Sequence, residues 1–184
     1  MNSNPVNPTP MADTNLSDAD DESRLVRVFQ KQVEFLRSVP IFKNLEDIDL
    51  GRLCQVATVR RYPADSVLLP EGQMNDALYL IEHGTVELSS RRTNGEPFLR
   101  LGHGRFFGQV SMFDPAASSA TVTARTNVEV MVLRERPLCG LLVAYPEVGV
   151  RLLAAIIRDM ARRHHTMIKR LRELAPSDME HENS

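Results

Sequence analysis

Six short segments between residues 66 and 134 combine apolar and β-branched residues, and glycine-containing turns separate most of them. Several short strands at regular spacing predict an all-β sandwich or barrel. Gly84 and the Asn94-Gly95 pair mark the sharpest turns, because positive φ costs little at glycine and Asn-Gly favours a hairpin. An antiparallel barrel or jelly roll is therefore predicted from "SVLLP", "ALYLIE", "TVELSSR", "PFLRLG", "ATVTAR" and "VEVMVLR".

Helical periodicity flanks these strands on both sides. Apolar residues at helical spacing run from Glu22 until just before Pro40, and Asn44 suits the N-cap of a second, short helix. Pro137 is well placed at the first position of a third helix, and Pro146 can open a fourth. The predicted fold class is thus α+β, mainly β: an antiparallel β-jelly roll with N-terminal helices and a long C-terminal helix.

The C-terminal helix has the most regular apolar spacing in the chain, with steps of four and three residues. This stripe could pack onto the barrel, but a helix of about 30 residues spans roughly 45 Å, more than so small a domain can cover. A projecting helix that pairs with a second copy is therefore favoured. The predicted dimer seam consists of Leu153, Ile157, Met160, His164, Met167 and Leu171, with Leu174 continuing the spacing.

His164 occupies one position of this predicted seam, so two copies would place their imidazoles opposite each other. Protonation would then put like charges together. The dimer is expected to weaken as the pH falls through the histidine range. Sedimentation well above and well below that range tests this, and an unchanged dissociation constant would contradict it.

Charge is segregated along the chain. Residues 1–22 carry five acidic residues and no lysine or arginine, and residues 175–184 carry three more acidic residues. The segment between them holds 22 basic and 16 acidic residues. We therefore divide the chain into a disordered acidic tail (1–22), a β-roll with flanking helices (23–145), a C-terminal helix for dimerisation and switching (146–174) and a disordered tail (175–184).

Several classes of protein are disfavoured by what the sequence lacks. It has no run of about 18 apolar residues, and its polar, acidic start is unlike a secretory signal, so we expect a cytoplasmic protein without membrane association. Cys54 and Cys139 stand outside any metal-ligand spacing and are interpreted as two reduced core thiols. No metal site is expected.

An enzyme is also disfavoured. Glu71, Asp76 and Glu82 fall on predicted turns and strands without a readable nucleophile or base nearby, so we interpret them as solvated acids. Ser111 and Ser118 lack a G-x-S-x-G context, which leaves a hydrolase without support. No catalytic residue is assigned.

Residues 106–124, "FFGQVSMFDPAASSATVTA", look suited to an anion. A glycine turn precedes a short apolar run, and a patch of small residues then leads into alternating Thr and Val. Backbone N–H groups at a helix start can offset part of a negative charge. The segment nevertheless holds no basic residue. It is therefore either a working phosphate site or what is left of one.

Residues 33–170 resemble the cyclic-nucleotide-binding domain family, which includes the sensor domain of catabolite activator protein. "FLRSVPIFKNL" is similar to the family's entry segment, and "EGQMNDALYLIEHGTVEL" to its G-x-x-x-D-x-L-Y-x-I-x-x-G-x-V signature. "LGHGRFFGQ" is similar to its L-G-x-G-x-x-F-G-E approach to the phosphate cassette. The resemblance implies a β-jelly roll that holds a cyclic mononucleotide, a short cassette helix from Gly108 to Phe113, and a mobile C-terminal helix.

The cassette, residues 106–124, departs from the family pattern at two positions. Gln109 stands where the resemblance implies a glutamate that accepts from the ribose 2′-hydroxyl, and Ser118 where it implies an arginine that binds the phosphate. Arg100, Arg105, Arg125 or Arg162 could compensate. The ligand-binding residues of the cassette are then Gly108, Gln109, Val110, Ser111, Ser118, Ser119 and Ala120.

These departures favour a non-enzymatic signal-transduction module with a degenerate pocket, acting as a homodimer through protein contacts. The alternative is a genuine sensor of cAMP, cGMP or a cyclic dinucleotide that uses Gln109 and a compensating arginine. A transcription regulator, a common fate of the domain in bacteria, is less favoured, because only ten residues follow Leu174 where a helix-turn-helix needs two helices. A protein partner is expected, DNA binding is not, and no cofactor beyond a possible cyclic nucleotide is implied.

Overall fold

The computed structural model describes residues 16–109 and 116–174. Four helices frame ten short strands: α1 (Leu16–Ser38), α2 (Asp47–Val56), α3 (Glu135–Ala144) and α4 (Pro146–Leu174). The strands are β1 (Ala57–Tyr62), β2 (Val67–Leu69), β3 (Met74–Asn75), β4 (Ala77–His83), β5 (Val86–Ser89), β6 (Pro97–Leu101), β7 (Phe106–Phe107), β8 (Ala116–Ala117), β9 (Thr121–Ala124) and β10 (Val128–Arg134).

The strands form the predicted antiparallel jelly roll. One sheet has the order β1-β10-β4-β7, the second has the order β2-β9-β5-β6, and β3 pairs with β8. Every pair is antiparallel. Side chains of both large sheets share one apolar core, so the sheets enclose the interior of the roll.

Alternation along the strands separates that interior from a second core under the helices. On β10, Val130 and Val132 lie in the interior of the roll, whereas Met131 and Leu133 belong to the helical core. This follows from the two-residue period of a strand. The central strands β4 and β10 of the first sheet are therefore buried on both faces, whereas the edge strand β1 is mostly exposed. The helical core consists mainly of Phe35, Leu36, Ile41, Phe42, Leu50, Leu53, Leu78, Leu80, Leu138, Leu152 and Ile156.

Three helix starts differ from the sequence predictions. The first helix begins at Leu16 rather than at Glu22, so it includes acidic positions assigned above to the tail; acidic residue types are favoured near helix starts. The second begins after an N-cap at Glu46, and Asn44 lies in the preceding turn. The third begins at Glu135, which makes Pro137 its third residue.

Two different faces of α4 have opposite environments. Val148, Leu152 and Ile156 are buried against the body of the domain. The predicted seam lies on another face and is exposed: Leu153 is 39% exposed, Met160 41%, Met167 57% and Ile157 63%, and His164 is exposed as well. The side chain of Leu171 lies outside the described residues. An apolar stripe left uncovered by its own chain is available for pairing, which stays a prediction.

Within the described ranges, no helix is long and apolar enough to cross a membrane. Cys54 is buried, and burial raises the pKa of its thiol to about 11, so it remains a protonated thiol at neutral pH. The prediction of a second core thiol was wrong, because Cys139 lies on the exposed side of α3. On a helix, a residue next to the buried Leu138 turns by about 100° away from it.

Candidate functional site

The first half of the cassette is shaped by Gly108. Its φ of +84° lies in the left-handed region, and a Cβ atom there would lie 2.3 Å from the carbonyl oxygen of Ala77 and 3.0 Å from Nδ2 of Asn75. The buried Asn75 amide donates to that same carbonyl at 2.8 Å. Only glycine fits so closely against the start of β4.

The second half of the cassette is held by the loop before β3. The backbone N–H of Ser118 donates to the carbonyl of Gln73 at 2.8 Å, and the N–H of Gly72 donates to the carbonyl of Ser118 at 2.8 Å. The Ser118 hydroxyl donates to the carbonyl of Ala120 at 2.7 Å. The hydroxyl that replaces the family's arginine is therefore engaged in stabilising its own turn.

These two halves line one cavity of about 210 Å³. Five of the predicted ligand-binding residues meet there: Gly108, Gln109, Ser118, Ser119 and Ala120. Val110 and Ser111, together with most of the predicted cassette helix, lie outside the described residues. The rest of the wall is mainly apolar and comes from both sheets; it consists of Leu69, Leu88, Leu99, Leu101, Phe106, Phe107 and Val122, with Arg163 added from α4.

Arg100 on β6 and Arg125, which directly follows β9, do not line this cavity. Arg100 and Arg125 both bind the carboxylate of Glu87, with Arg100 Nε at 3.0 Å and Arg125 Nε at 3.3 Å. Leu99 and Leu101 line the cavity, so the period of two places Arg100 on the opposite face of β6. The compensating role of Arg100 stays a prediction, and in this structure its side chain binds Glu87 outside the cavity wall.

Arg105 and Arg162 are also absent from the lining. Arg105 is exposed in the turn before β7. Arg162 is 63% exposed, and its Nη2 lies 3.9 Å from Oδ1 of Asp159. The compensating role of Arg105 and Arg162 stays a prediction, and neither residue lines the cavity in the described structure.

Arg163, which the sequence analysis did not select, lies in the wall instead. Its guanidinium carbon lies 4.6 Å from the centroid of the Phe106 ring, in the geometry of a cation–π contact. Its Nε donates to Oδ2 of Asp159 at 2.6 Å. The signal was present in the sequence, because Arg163 follows the buried residues Leu152 and Ile156 by eleven and seven positions, on the same face of the helix.

The electrostatics of the cavity differ from the pattern that the resemblance implies. Among the described residues, the only cationic side chain in the wall is Arg163, and it comes from α4 rather than from the cassette. Its side chain is 32% exposed and that of Asp159 is 16% exposed, so the pair is partly withdrawn from water. The cationic side chain of the described wall therefore comes from α4 and is paired with Asp159.

The carboxylates considered as catalytic groups have structural partners. Asp76 binds Nη1 of Arg134 at 2.9 Å, and Glu71 accepts the backbone N–H of Arg91 at 2.8 Å. Burial raises the pKa of Glu82, and the nearby Glu129 raises it further. No group of three or more metal-ligating side chains occurs in the parts of the chain that the structure describes.

Comparison with known proteins agrees with this geometry. The family model described as "Cyclic nucleotide-binding domain" matches residues 59–145. A cAMP-dependent protein kinase regulatory subunit of Aspergillus fumigatus is 32% identical over 96 residues, which are 52% of this chain and 23% of that protein. The chain thus spans about a quarter of the length of that curated relative.

Two solved structures extend the similarity over most of the chain. The N-terminal domain of a transcriptional regulator from Streptomyces coelicolor is 30% identical, with a TM-score of 0.64 over 70% of this chain and 94% of that one. A cyclic nucleotide-binding domain from Methylobacillus flagellatus is 24% identical, with a TM-score of 0.71 over 83% of this chain and 87% of that one. The chain belongs to the cyclic nucleotide-binding domain family.

Proposed function

We propose that this chain is a non-enzymatic regulatory module that acts as a homodimer through protein contacts, and that its nucleotide pocket is degenerate. The observation that carries the proposal is Ser118. Where the family pattern has an arginine, this residue has a short hydroxyl that donates to the carbonyl of Ala120. Such a side chain has neither the charge nor the reach to bind a phosphate as an arginine does.

The binding free energy lost with the arginine determines how weakly the pocket is expected to bind a nucleotide. Removing a charge-assisted, bidentate contact to a desolvated phosphate costs about 2–5 kcal/mol, or roughly 30- to several-thousand-fold in affinity. Glutamine in place of glutamate at position 109 lowers the affinity less, because the Gln109 amide still offers an acceptor oxygen to a ribose hydroxyl. A cyclic mononucleotide is therefore expected to bind in the range of roughly tens of micromolar to millimolar.

The exposed seam of α4 supports the homodimer. Soluble domains seldom leave a long apolar stripe in water, and heptad spacing suits pairing with an identical helix. The roll and α3 would then present the surface for a protein partner, with Val143 of α3 80% exposed. The similar proteins are a kinase regulatory subunit and part of a transcriptional regulator, which supports a regulatory role. We place this role in the cytoplasm.

A second candidate, a genuine cyclic nucleotide sensor, is favoured by one observation. Arg163 lines the same cavity as Gln109 and Ser119, so a cation is available to a bound phosphate. This candidate predicts low-micromolar binding by the natural sequence, and the degenerate pocket predicts much weaker binding.

The Ser118→Arg variant tests the degenerate pocket. The backbone of residue 118 is held by Gln73 and Gly72, so a longer side chain can be added without changing the turn. We expect this variant to bind cAMP or cGMP at least about 30-fold more tightly than the natural protein, as judged by calorimetric titration that also includes a cyclic dinucleotide.

Thr123→Arg is the matched control for added charge. Thr123 lies on the outer face of β9, one residue beyond the buried Val122. The Thr123→Arg variant should bind cAMP or cGMP no more tightly than the natural protein does. Low-micromolar binding by the natural sequence, or an equal gain in both variants, would contradict the degenerate pocket.

A further inference from the structure

We infer that Arg163 is the anion-binding residue of this pocket, so that α4 rather than the cassette presents the charge that holds an organic anion. The inference rests on the proposed function, because it concerns the same cavity and names what the weakened cassette can still bind. It assigns to one residue both the recognition of the ligand and its coupling to the C-terminal helix.

The guanidinium is positioned to accept another partner. Its Nε is committed to Asp159, whereas its Nη atoms have no hydrogen-bond partner within the described residues. The centroid of the Phe106 ring lies 4.6 Å from its guanidinium carbon, so the ring provides a second contact for the group. An arginine that is held in place through its Nε can use its Nη atoms to donate hydrogen bonds to a carboxylate or a phosphate.

The net charge near the guanidinium stays positive. Asp159 is shared between Arg163 and the exposed Arg162, which lies 3.9 Å from its Oδ1. Two cations around one carboxylate leave an excess of one positive charge on this turn of α4. No other charged side chain lines the cavity among the residues that the structure describes. A ligand with one negative charge is the complementary choice.

The rest of the wall defines the body of the ligand. Leu88, Leu99 and Leu101 come from the second sheet, and Phe107 stacks on Tyr79 with ring centroids 4.8 Å apart. Gln109, Ser118 and Ser119 are the neutral polar residues of the described wall. The ligand class is therefore an organic monoanion with an apolar or aromatic body, and cyclic mononucleotides are one source of that chemistry.

The position of the charge has a mechanical consequence. An anion bound to Arg163 contacts α4 directly, so its affinity depends on whether the helix lies against the roll. A ligand that binds one position of a helix better than another shifts the helix toward that position. A ligand in the cavity is thus expected to hold α4 against the roll, without any contribution from an arginine in the cassette.

The test compares Arg163→Gln with Arg162→Gln in the full chain. Both variants lose one positive charge from the same helix turn, but only Arg163 lines the cavity. The probes are cAMP, which has a nucleoside body, and benzoate, which has an apolar ring and a carboxylate. Binding is measured by changes in amide chemical shifts, and thermal unfolding checks that both variants are folded.

We expect the natural protein to bind at least one probe, with Arg163→Gln weakening binding about 10- to 100-fold. Arg162→Gln removes an exposed and screened charge outside the cavity wall, so it should weaken binding less than about fivefold. Arg163→Lys should recover part of the loss, because it restores the charge without the planar fork. Binding of benzoate alone would identify carboxylates as the ligands, and binding of cAMP alone would identify cyclic phosphates.

Three outcomes would overturn the inference: equal weakening by the two glutamine variants, no weakening by Arg163→Gln, or no binding of either probe by the natural protein. They are separable from a failure of the proposed function. If the natural protein binds neither probe while Ser118→Arg gains cAMP binding, the degenerate pocket stands and the role of Arg163 fails. If the natural protein binds cAMP in the low-micromolar range and Arg163→Gln loses this binding, the role of Arg163 stands and the degenerate pocket fails.

Discussion

Ile157→Asp is expected to convert the protein from a dimer to a monomer. Ile157 is 63% exposed within one chain, the highest exposure given for an apolar residue of the predicted seam, of which it is the second residue. Pairing would bury it in both copies, so the variant loses about 2–3 kcal/mol of apolar burial per copy and also places two carboxylates face to face. We expect the dimer to weaken by at least about a thousand-fold.

Thr166→Asp is the matched control, because it adds the same charge to the same helix outside the seam. Thr166 is exposed, and its hydroxyl donates to the carbonyl of Arg162 at 3.0 Å. Analytical ultracentrifugation of the two variants and the natural protein gives the result directly. A natural protein that sediments as a monomer, or an Ile157→Asp variant that stays dimeric, would show that the seam is wrongly assigned.

Gly108→Ala should destabilise the fold by about 3–5 kcal/mol. Part of this cost is the left-handed backbone, which a Cβ atom makes unfavourable by about 1–2 kcal/mol. The larger part is the contact at 2.3 Å with the carbonyl oxygen of Ala77, which belongs to the backbone of β4 and cannot rotate away. The amide of Asn75 would also have to shift.

Gly104→Ala separates these two contributions. Gly104 has a φ of +72°, but a Cβ atom there would have no neighbour within 4 Å. It should therefore cost only the conformational part, about 1–2 kcal/mol. Urea unfolding of both variants measures the difference, and equal losses would mean that the close approach at Gly108 does not contribute.

Most of the longer strands were predictable, but β1, with six residues that are mostly exposed, was not among the six predicted segments. β10, with seven residues, alternates between two cores, and its sequence segment was identified with the same bounds. β3, β7 and β8 have two residues each, too few for any periodicity, and they form only because the surrounding roll brings them together. Long-range pairing of this kind is not encoded in local sequence.

The candidate site was predictable as a segment but not in its charges. The motifs located the cassette, since spacing and glycine positions survive in a linear sequence. Whether an arginine lines the cavity depends on the face of its helix or strand on which it lies. Arg163 lines the cavity but its neighbour Arg162 on α4 does not, and Leu101 lines it but its neighbour Arg100 on β6 does not. Reading the buried face of α4 together with the exposed one would have selected Arg163.

The close fit of Gly108 has a consequence for how such proteins diverge. The backbone of β4 leaves no room for a side chain at position 108. A chain that no longer binds its ligand must therefore still have glycine there in order to fold. Position 118 carries no comparable steric demand. Its hydroxyl adds one hydrogen bond to the turn, and any residue except proline can form the two main-chain hydrogen bonds that also hold it. If the pocket is degenerate as proposed, selection for folding alone would preserve the glycine at position 108 but would not preserve an arginine at position 118.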